Sequence, residues 1–285
     1  MFPMPLPNPL APLPLDQAEF VAFDLETTGF SPVAARIVEV GAVRFRADGT
    51  VLDQFSQLVN PLCRIPVDAT AVHGITDQMV ARQPVIAEVL PRFCEFLGSP
   101  RSVLLAHNAG FDVGFLSVAF GRCGRVCPEH QVFDTCALAR RRLSLPNYKL
   151  ETLGRYLGLI EREDHRSLAD SLLLKDVFLH LVRTAPAIQC TSELCRLAPA
   201  LRFNALACVQ ETPPPGYEDL WRAIAEQRPV EMRYEGGSSP GSLRRITPLG
   251  VMQMRGQVYL SALCHHSESE KTFRLDRIAA YRLSH

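Results

Sequence analysis

Apolar and polar positions change rhythm several times along the chain. FVAFDLE, near residue 20, is a short apolar run that reads as a buried strand. RIVEVGAVRFR follows with alternation, then the turn signal Ala47-Asp48-Gly49-Thr50, then VLDQFSQLVN, a pattern that predicts an antiparallel hairpin. From Val85 to Leu97 the apolar residues return at helical spacing, and Gly98-Ser99-Pro100 ends the run. VLLAHN is a further short strand that leads into a helix starting near Gly110. More helices are expected at 134–142, 149–157 and 167–182. Strand–helix alternation after an antiparallel start predicts an α/β domain with a mixed sheet. Prolines 186, 199 and 213–215 punctuate the next stretch, which reads as a linker with room for one short helix. The last 70 residues predict a helix at 217–227 and then the strands VEMRYEG, LRRITPLGVMQMR, GQVYLSALCHH and KTFRLDRIAAYRL, which suit a small β-barrel. The expected division is a proline-rich disordered tail at 1–16, a first domain at 17–184, a linker at 185–216 and a second domain at 217–285.

Composition narrows this picture in a few places. The 285 residues suit two domains, and 47% apolar content supports ordinary cores. Thirty basic residues balance thirty acidic ones, which excludes a polycation and an acidic disordered chain but not a local phosphate-binding patch. Up to residue 185 there are 18 basic and 20 acidic residues; beyond it there are 12 and 10. Of the basic residues only Lys149, Lys175 and Lys271 are lysine, a bias that reads as genome composition. Nine cysteines, an odd number without zinc-type spacing, suit a reducing compartment, and the chain is expected in the cytoplasm. No apolar run approaches the roughly 20 residues needed to span a bilayer. The N-terminus carries six prolines in 14 residues, which excludes a helical signal core.

The chemistry concentrates in three places. Asp24 and Glu26 stand two apart in a strand, so both carboxylates share one face. They repel each other, and a divalent cation offsets that best. Thr27-Thr28-Gly29 ends the strand with N–H groups and hydroxyls suited to a nucleotide terminus. Next, His107-Asn108-Ala109-Gly110-Phe111-Asp112 follows the second apolar strand, with Asp112 in the first turn of a helix. Third, in His165-Arg166-Ser167-Leu168-Ala169-Asp170 a loop histidine precedes a helix-start acid by five residues. Taken one at a time, each acid also reads as a solvated strand end or a helix-capping group. Together, four acids and one histidine suggest a two-metal phosphoryl-transfer site, with the histidine as proton acceptor.

FDLETTG, HNAGFD and HRSLAD, in that order, resemble the signature motifs of the DEDDh exonucleases, the group that includes the proofreading epsilon subunit of bacterial DNA polymerase III. VHGIT, at Val72–Thr76, matches a further segment of that group, and the resemblance extends over about residues 18–183. It implies an RNase H-like mixed five-stranded sheet flanked by helices, and 3′→5′ hydrolysis of nucleic acid to nucleoside 5′-monophosphates. It implies two Mg²⁺ or Mn²⁺ ions held by Asp24, Glu26, Asp112 and Asp170, with His165 as general base. Thr27, Thr28, His73, Gly74 and Ile75 would meet the terminal nucleotide. His107 and Asn108 would stand on the substrate side of the second motif and brace it.

Residues 217–285 resemble a WYL domain, a small Sm-like β-barrel, through VEMRY, RRITPLGV, VYLSA and KTFRLDRI; Val258 replaces the tryptophan of the name triplet. The likeness makes Tyr234, Arg244, Arg274 and Arg277 candidates for binding a phosphate-bearing ligand. The same arginines also read as solvated strand residues or as partners of Glu231 and Asp276. The expected protein is thus a metal-dependent 3′→5′ exonuclease, with DNA favoured, whose WYL domain binds nucleic acid or a regulatory ligand. Its expected partners are 3′-end or single-stranded nucleic acid and a DNA polymerase or repair protein. The alternatives are an RNA exonuclease or oligoribonuclease, and a ligand-sensing regulator that only binds nucleic acid.

Overall fold

The computed structural model describes residues 13–160, 165–184, 188–198, 200–203, 208–209, 212–236, 240–254 and 257–284. The chain forms two compact units. One comprises Met1–Thr28, Ile37–Val113 and Pro128–Phe203; the other comprises Gly29–Arg36, Gly114–Cys127 and Asn204–His285. Among the described residues no helix is long and apolar enough to cross a membrane.

The first unit is built on a mixed sheet. Strand β1 (Glu19–Thr27) pairs antiparallel with β2 (Ile37–Arg46), which pairs antiparallel with β3 (Val51–Leu58). On its other side β1 pairs parallel with β4 (Val103–Ala106), and β4 parallel with β5 (Gln131–Asp134). The expected five strands become six, because Leu201–Arg202 (β6) adds antiparallel to β5. Two residues are too short to show a strand period, so this edge had no sequence signal. The helices are α1 (Val67–His73), α2 (Asp77–Val80), α3 (Ile86–Leu97), α4 (Gly110–Arg122, whose residues from Gly114 onward fall in the second unit), α5 (Thr135–Arg142), α6 (Leu150–Tyr156), α7 (Ser167–Arg183) and α8 (Thr191–Leu197). Helix α8 and Ile188, both within the expected linker, contribute to this unit's core through Leu194, Ala198 and Ile188. The expected disordered tail also differs at its end. Thr191 N–H donates to the Leu13 carbonyl and Leu15 N–H to that of Gln189, so residues 13–16 are tied down; residues 1–12 lie outside the described residues.

Strands β1 and β2 share one face that carries α7. Register pairs Phe20 with Phe45, Ala22 with Val43, Asp24 with Gly41 and Glu26 with Glu39, and paired residues stand side by side on a sheet face. At the apolar end, Phe178 of α7 packs against Phe20 and Phe45, with ring centroids 5.1 and 6.3 Å away. Eight helical residues back along α7, about 12 Å, lies Asp170; four strand residues along β1 from Phe20, about 13 Å, lies Asp24. The matching lengths carry Asp170 to the polar end of β1. Close approach there depends on Gly41, where a Cβ would collide with the backbone of Ser167 and Leu168. The Ser171 hydroxyl lies 3.1 Å from the Gly41 carbonyl and 2.6 Å from that of Ser167, closing the contact.

The second unit contains β7 (Cys208–Val209), α9 (Glu218–Glu226), β8 (Val230–Tyr234), β9 (Ser242–Met254), β10 (Gln257–Cys264), β11 (Ser269–Arg274) and β12 (Ile278–Leu283). All pairings are antiparallel, in the order β11-β10-β9-β8-β12, with β7 also on β9. The expected barrel is open. A three-residue turn, Leu275–Arg277, sends the chain from β11 to the far edge beside β8, and among the described residues β11 and β12 do not pair. Leu220 and Ala223 of α9 bury against Val230, Met232, Ile246, Leu260 and Phe273. The two short segments add a smaller cluster of Val33, Val118 and Met252, and the Ser31 and Ser261 hydroxyls lie 2.9 Å apart.

Gly41→Ala is expected to destabilise the protein by at least about 2 kcal/mol, because backbone, not a mobile side-chain tip, fills the space. Thermal unfolding of the variant measures this; an unchanged midpoint would contradict the close approach.

Candidate active site

The polar end of the β1–β2 face gathers three carboxylates. Ligand oxygens of Asp24, Glu26 and Asp170 all lie within 4.8 Å of one another, with Asp170 buried and the other two half-buried. Strand periodicity supplies the first two, and the first turn of α7 supplies the third. Asp112, in the first turn of α4, stands next to this group without joining it. It is 2% exposed, and the N–H of Leu25, between Asp24 and Glu26, donates to its carboxyl group. Its Oδ1 has no hydrogen-bond partner among the described residues. Burial, with a smaller push from Asp134, raises the Asp112 pKa to about 8 against the pull of the Leu25 N–H. A hard-oxygen donor set with one orphaned buried oxygen fits a divalent cation.

His165 is half-buried just before α7, with its backbone in the left-handed region at φ 47°. The next residue, Arg166, reaches back to β2. Its Nε and Nη2 donate to Glu39 Oε2 and Oε1 at 3.0 and 2.5 Å, and Ser167 N–H donates to Oε2 at 3.0 Å. Burial pushes the Glu39 carboxyl up, but the Arg166 and Ser167 bonds and the Arg166 charge outweigh it and hold the pKa below its ordinary value.

The remaining candidates of this unit line the motifs. Thr27 and Thr28 are buried at the end of β1, where a register shift follows Glu26. His73 and Ile75 have buried side chains, and Gly74 between them is exposed with φ 72°. Ile75 N–H donates to His73 Nδ1 at 3.0 Å. Burial lowers the His73 pKa, opposed by the Thr27 backbone and the Glu39 charge. His107 is held on both sides, with Nε2 2.7 Å from the Tyr148 carbonyl and Nδ1 3.0 Å from the Thr135 hydroxyl. A carbonyl only accepts, so Nε2 carries the proton; burial keeps this imidazole below its ordinary pKa. Asn108 takes φ 60°, and its N–H donates to Asp134 Oδ1, which also caps α5 at Cys136 N.

Glu39, Gly41, Asp134 and Arg166 are residues that sequence reasoning missed. Glu39 did carry a signal, a lone acid between Val38 and Val40 in an apolar strand. Asp134 did too, as an acid followed by threonine at a helix start.

In the second unit, Tyr234 and Arg274 come together: Arg274 N–H donates to the Tyr234 hydroxyl at 3.1 Å, and the Tyr234 ring meets Phe273 edge-on at 5.0 Å. The Arg274 guanidinium is bidentate on Asp276, one of the two acids considered as its partner. Glu231, the other, binds Arg282. Arg244 stands opposite Met232 with its Nε buried, and Arg277 is exposed.

Residues 21–178 match the RNase_T family, described as Exonuclease, and residues 216–283 match the WYL domain. The chain is 44% identical over 154 residues to DNA polymerase III PolC-type of Clostridium perfringens, a match covering 54% of this chain and 10% of that protein. It is 42% identical over 185 residues to a putative bifunctional exonuclease/endonuclease protein of Mycobacterium tuberculosis, covering 61% and 28%. It is 35% identical over 170 residues to DNA polymerase III subunit epsilon of Treponema pallidum, covering 59% and 78%. The chain thus spans about a tenth and a quarter of the first two relatives. In fold it is similar to E. coli exonuclease I in complex with a dT13 oligonucleotide, with TM-score 0.56, 18% identity, and 87% of this chain and 55% of that one covered.

The raised Asp112 pKa has a definite consequence for metal-free protein. Between the ordinary value of 3.8 and about 8, the folded state holds a proton that the unfolded state has released. Stability from this group therefore falls as pH rises through that window. Asp112→Asn should remove this part of the decline, so that in EDTA the variant gains on wild type between pH 5 and pH 8. Thermal melts at the two values check it; parallel curves would refute the assignment.

Proposed function

We propose that this chain, which belongs to the RNase_T exonuclease family, removes nucleotides from the 3′ end of nucleic acid, DNA in preference to RNA, and releases nucleoside 5′-monophosphates. The observation that carries this reading is the convergence of Asp24, Glu26 and Asp170 within 4.8 Å beside the orphaned oxygen of Asp112. Exonucleases of this family use divalent metal ions. Here Asp24, Glu26, Asp112 and Asp170 would hold two, Mg²⁺ or Mn²⁺. Such ions, when bound, polarise phosphoryl oxygens and favour an ionised water.

The chain's own residues do the rest. His165 accepts the proton of the attacking water at a ring nitrogen, the chemistry to which imidazole is suited. Thr27, Thr28 and the exposed backbone at Gly74 contact the terminal nucleotide. His73 and Ile75 support that wall from behind, and His107 and Asn108 hold Asp112 in place through the turn that opens α4. Tyr234, Arg244, Arg274 and Arg277 of the WYL domain bind nucleic acid or a regulatory phosphate-bearing ligand. The relatives named as polymerase III components support action on DNA beside a polymerase or repair partner.

Asp24→Ala combined with Glu26→Ala is expected to abolish Mg²⁺-dependent release of mononucleotides from a 5′-labelled oligonucleotide. The digestion panel comprises single- and double-stranded DNA, RNA and dinucleotides. Cleavage retained by the double variant would refute the site. Faster cleavage of RNA would make the chain an RNA exonuclease, and no cleavage by wild type would favour the ligand-sensing regulator.

A further inference from the structure

We infer that Glu39 and Arg166 form a latch that positions His165 for proton transfer, separately from the acids that hold metal. The inference rests on the exonuclease reading and extends it to two residues outside the signature acids. Glu39 is a fifth carboxylate at the same end of the sheet, directly across the strand pair from Glu26. It is 1% exposed, yet it stays outside the Asp24, Glu26 and Asp170 group. Both its oxygens are already used, Oε1 by Arg166 and Oε2 by Arg166 and Ser167 N–H. A buried carboxylate that accepts three hydrogen bonds, two of them from a guanidinium, has most of its lone-pair directions taken and its charge offset, which makes it a poor ligand for a further cation.

The latch ties one point of the chain to β2, and that point is the residue after His165. A left-handed backbone in a non-glycine residue persists where its surroundings over-determine it. Arg166 supplies such a constraint on the C-terminal side of His165, through a planar fork that fixes direction as well as distance. The Arg166 charge also acts on Glu26, so one guanidinium serves two facing carboxylates. Asp170 N–H donates to the Arg166 carbonyl, but its turn of α7 has a further anchorage that does not pass through the Arg166 side chain, the Ser171 hydroxyl at the Gly41 and Ser167 carbonyls. Loosening the latch should therefore disturb His165 more than the metal ligands.

The test is a double-mutant cycle on the full chain, with kinetics on a 5′-labelled single-stranded oligonucleotide and Mn²⁺ binding by calorimetry. Glu39→Gln is expected to lower kcat by about 10–100-fold, a part of what general base catalysis supplies. KM and the Mn²⁺ Kd should stay within about 3-fold, the spread expected if binding contacts are unchanged. On a His165→Ala background Glu39→Gln should cost nothing further, since both act through one step. Arg166→Lys, which keeps the charge and loses the fork, should lower kcat in the same pattern and serves if Glu39→Gln does not fold. An additive loss on the His165→Ala background, or loss of Mn²⁺ binding in step with kcat, overturns the latch and leaves a structural role. Wild-type cleavage with an unimpaired Glu39→Gln also overturns it while the exonuclease reading stands. If wild type does not cleave, both fall.

Discussion

The close approach of α7 to β2 at Gly41 is the constraint on which the site depends. Without a side chain there, the first turn of α7 lies on the sheet where a Cβ would strike its backbone. The opposite strand position is Asp24. One missing methyl group thus sets the distance between the strand acids and the helix acid. The aromatic contacts of Phe178 with Phe20 and Phe45 fix the other end of the same helix, so α7 is held at two points about 15 Å apart. Those contacts make the geometry at the polar end a consequence of packing at the apolar end.

That geometry is electrostatically unfavourable without a cation. Three carboxylates share a small volume and a fourth is buried beside them with an oxygen unpaired. Close packing elsewhere holds the acids in place despite their repulsion, and a divalent cation of the kind this exonuclease family uses would offset it. Glu39 is treated differently. Its partners are built into the chain: Arg166 and the Ser167 N–H offset its charge directly. Glu26 and Glu39 are paired across the two strands, yet only Glu39 is bound bidentately by Arg166, while Glu26 lies in the cluster with Asp24 and Asp170.

Much of this was legible in the sequence because it rests on short-range periodicity. Two-residue spacing placed Asp24 and Glu26 on one face, and helix-start positions were readable for Asp112 and Asp170. What was not legible depends on contacts between distant segments. Gly41 looks like any glycine in a strand until the helix 126 residues later is laid across it. Glu39 reads as an oddity until Arg166 reaches it. The two-residue strand at Leu201–Arg202 has no period to detect, and the open edges of the second sheet are set by where β12 pairs, which strand patterns do not encode. The segments Gly29–Arg36 and Gly114–Cys127 belong by sequence to the motif-bearing part, yet they pack within the second unit, again through long-range contacts.

The arginines of the second unit can be sorted by the same physical criterion. Arg274 lies on an exposed aspartate two residues away, where solvent and salt screen the attraction. Such a pair holds a guanidinium in a defined orientation without committing it. A phosphate oxygen pair presents the same fork-matching geometry with more negative charge, so under the proposed ligand-binding role it would compete with Asp276 for this guanidinium. The backbone at that point is meanwhile kept in place by the Tyr234 hydroxyl, which accepts from Arg274 N–H and is itself packed edge-on against Phe273. Glu39 and Asp276 thus show one interaction in two settings: a buried carboxylate that joins Arg166 to β2 across 127 residues, and an exposed one that holds a guanidinium two residues away where solvent weakens the pair.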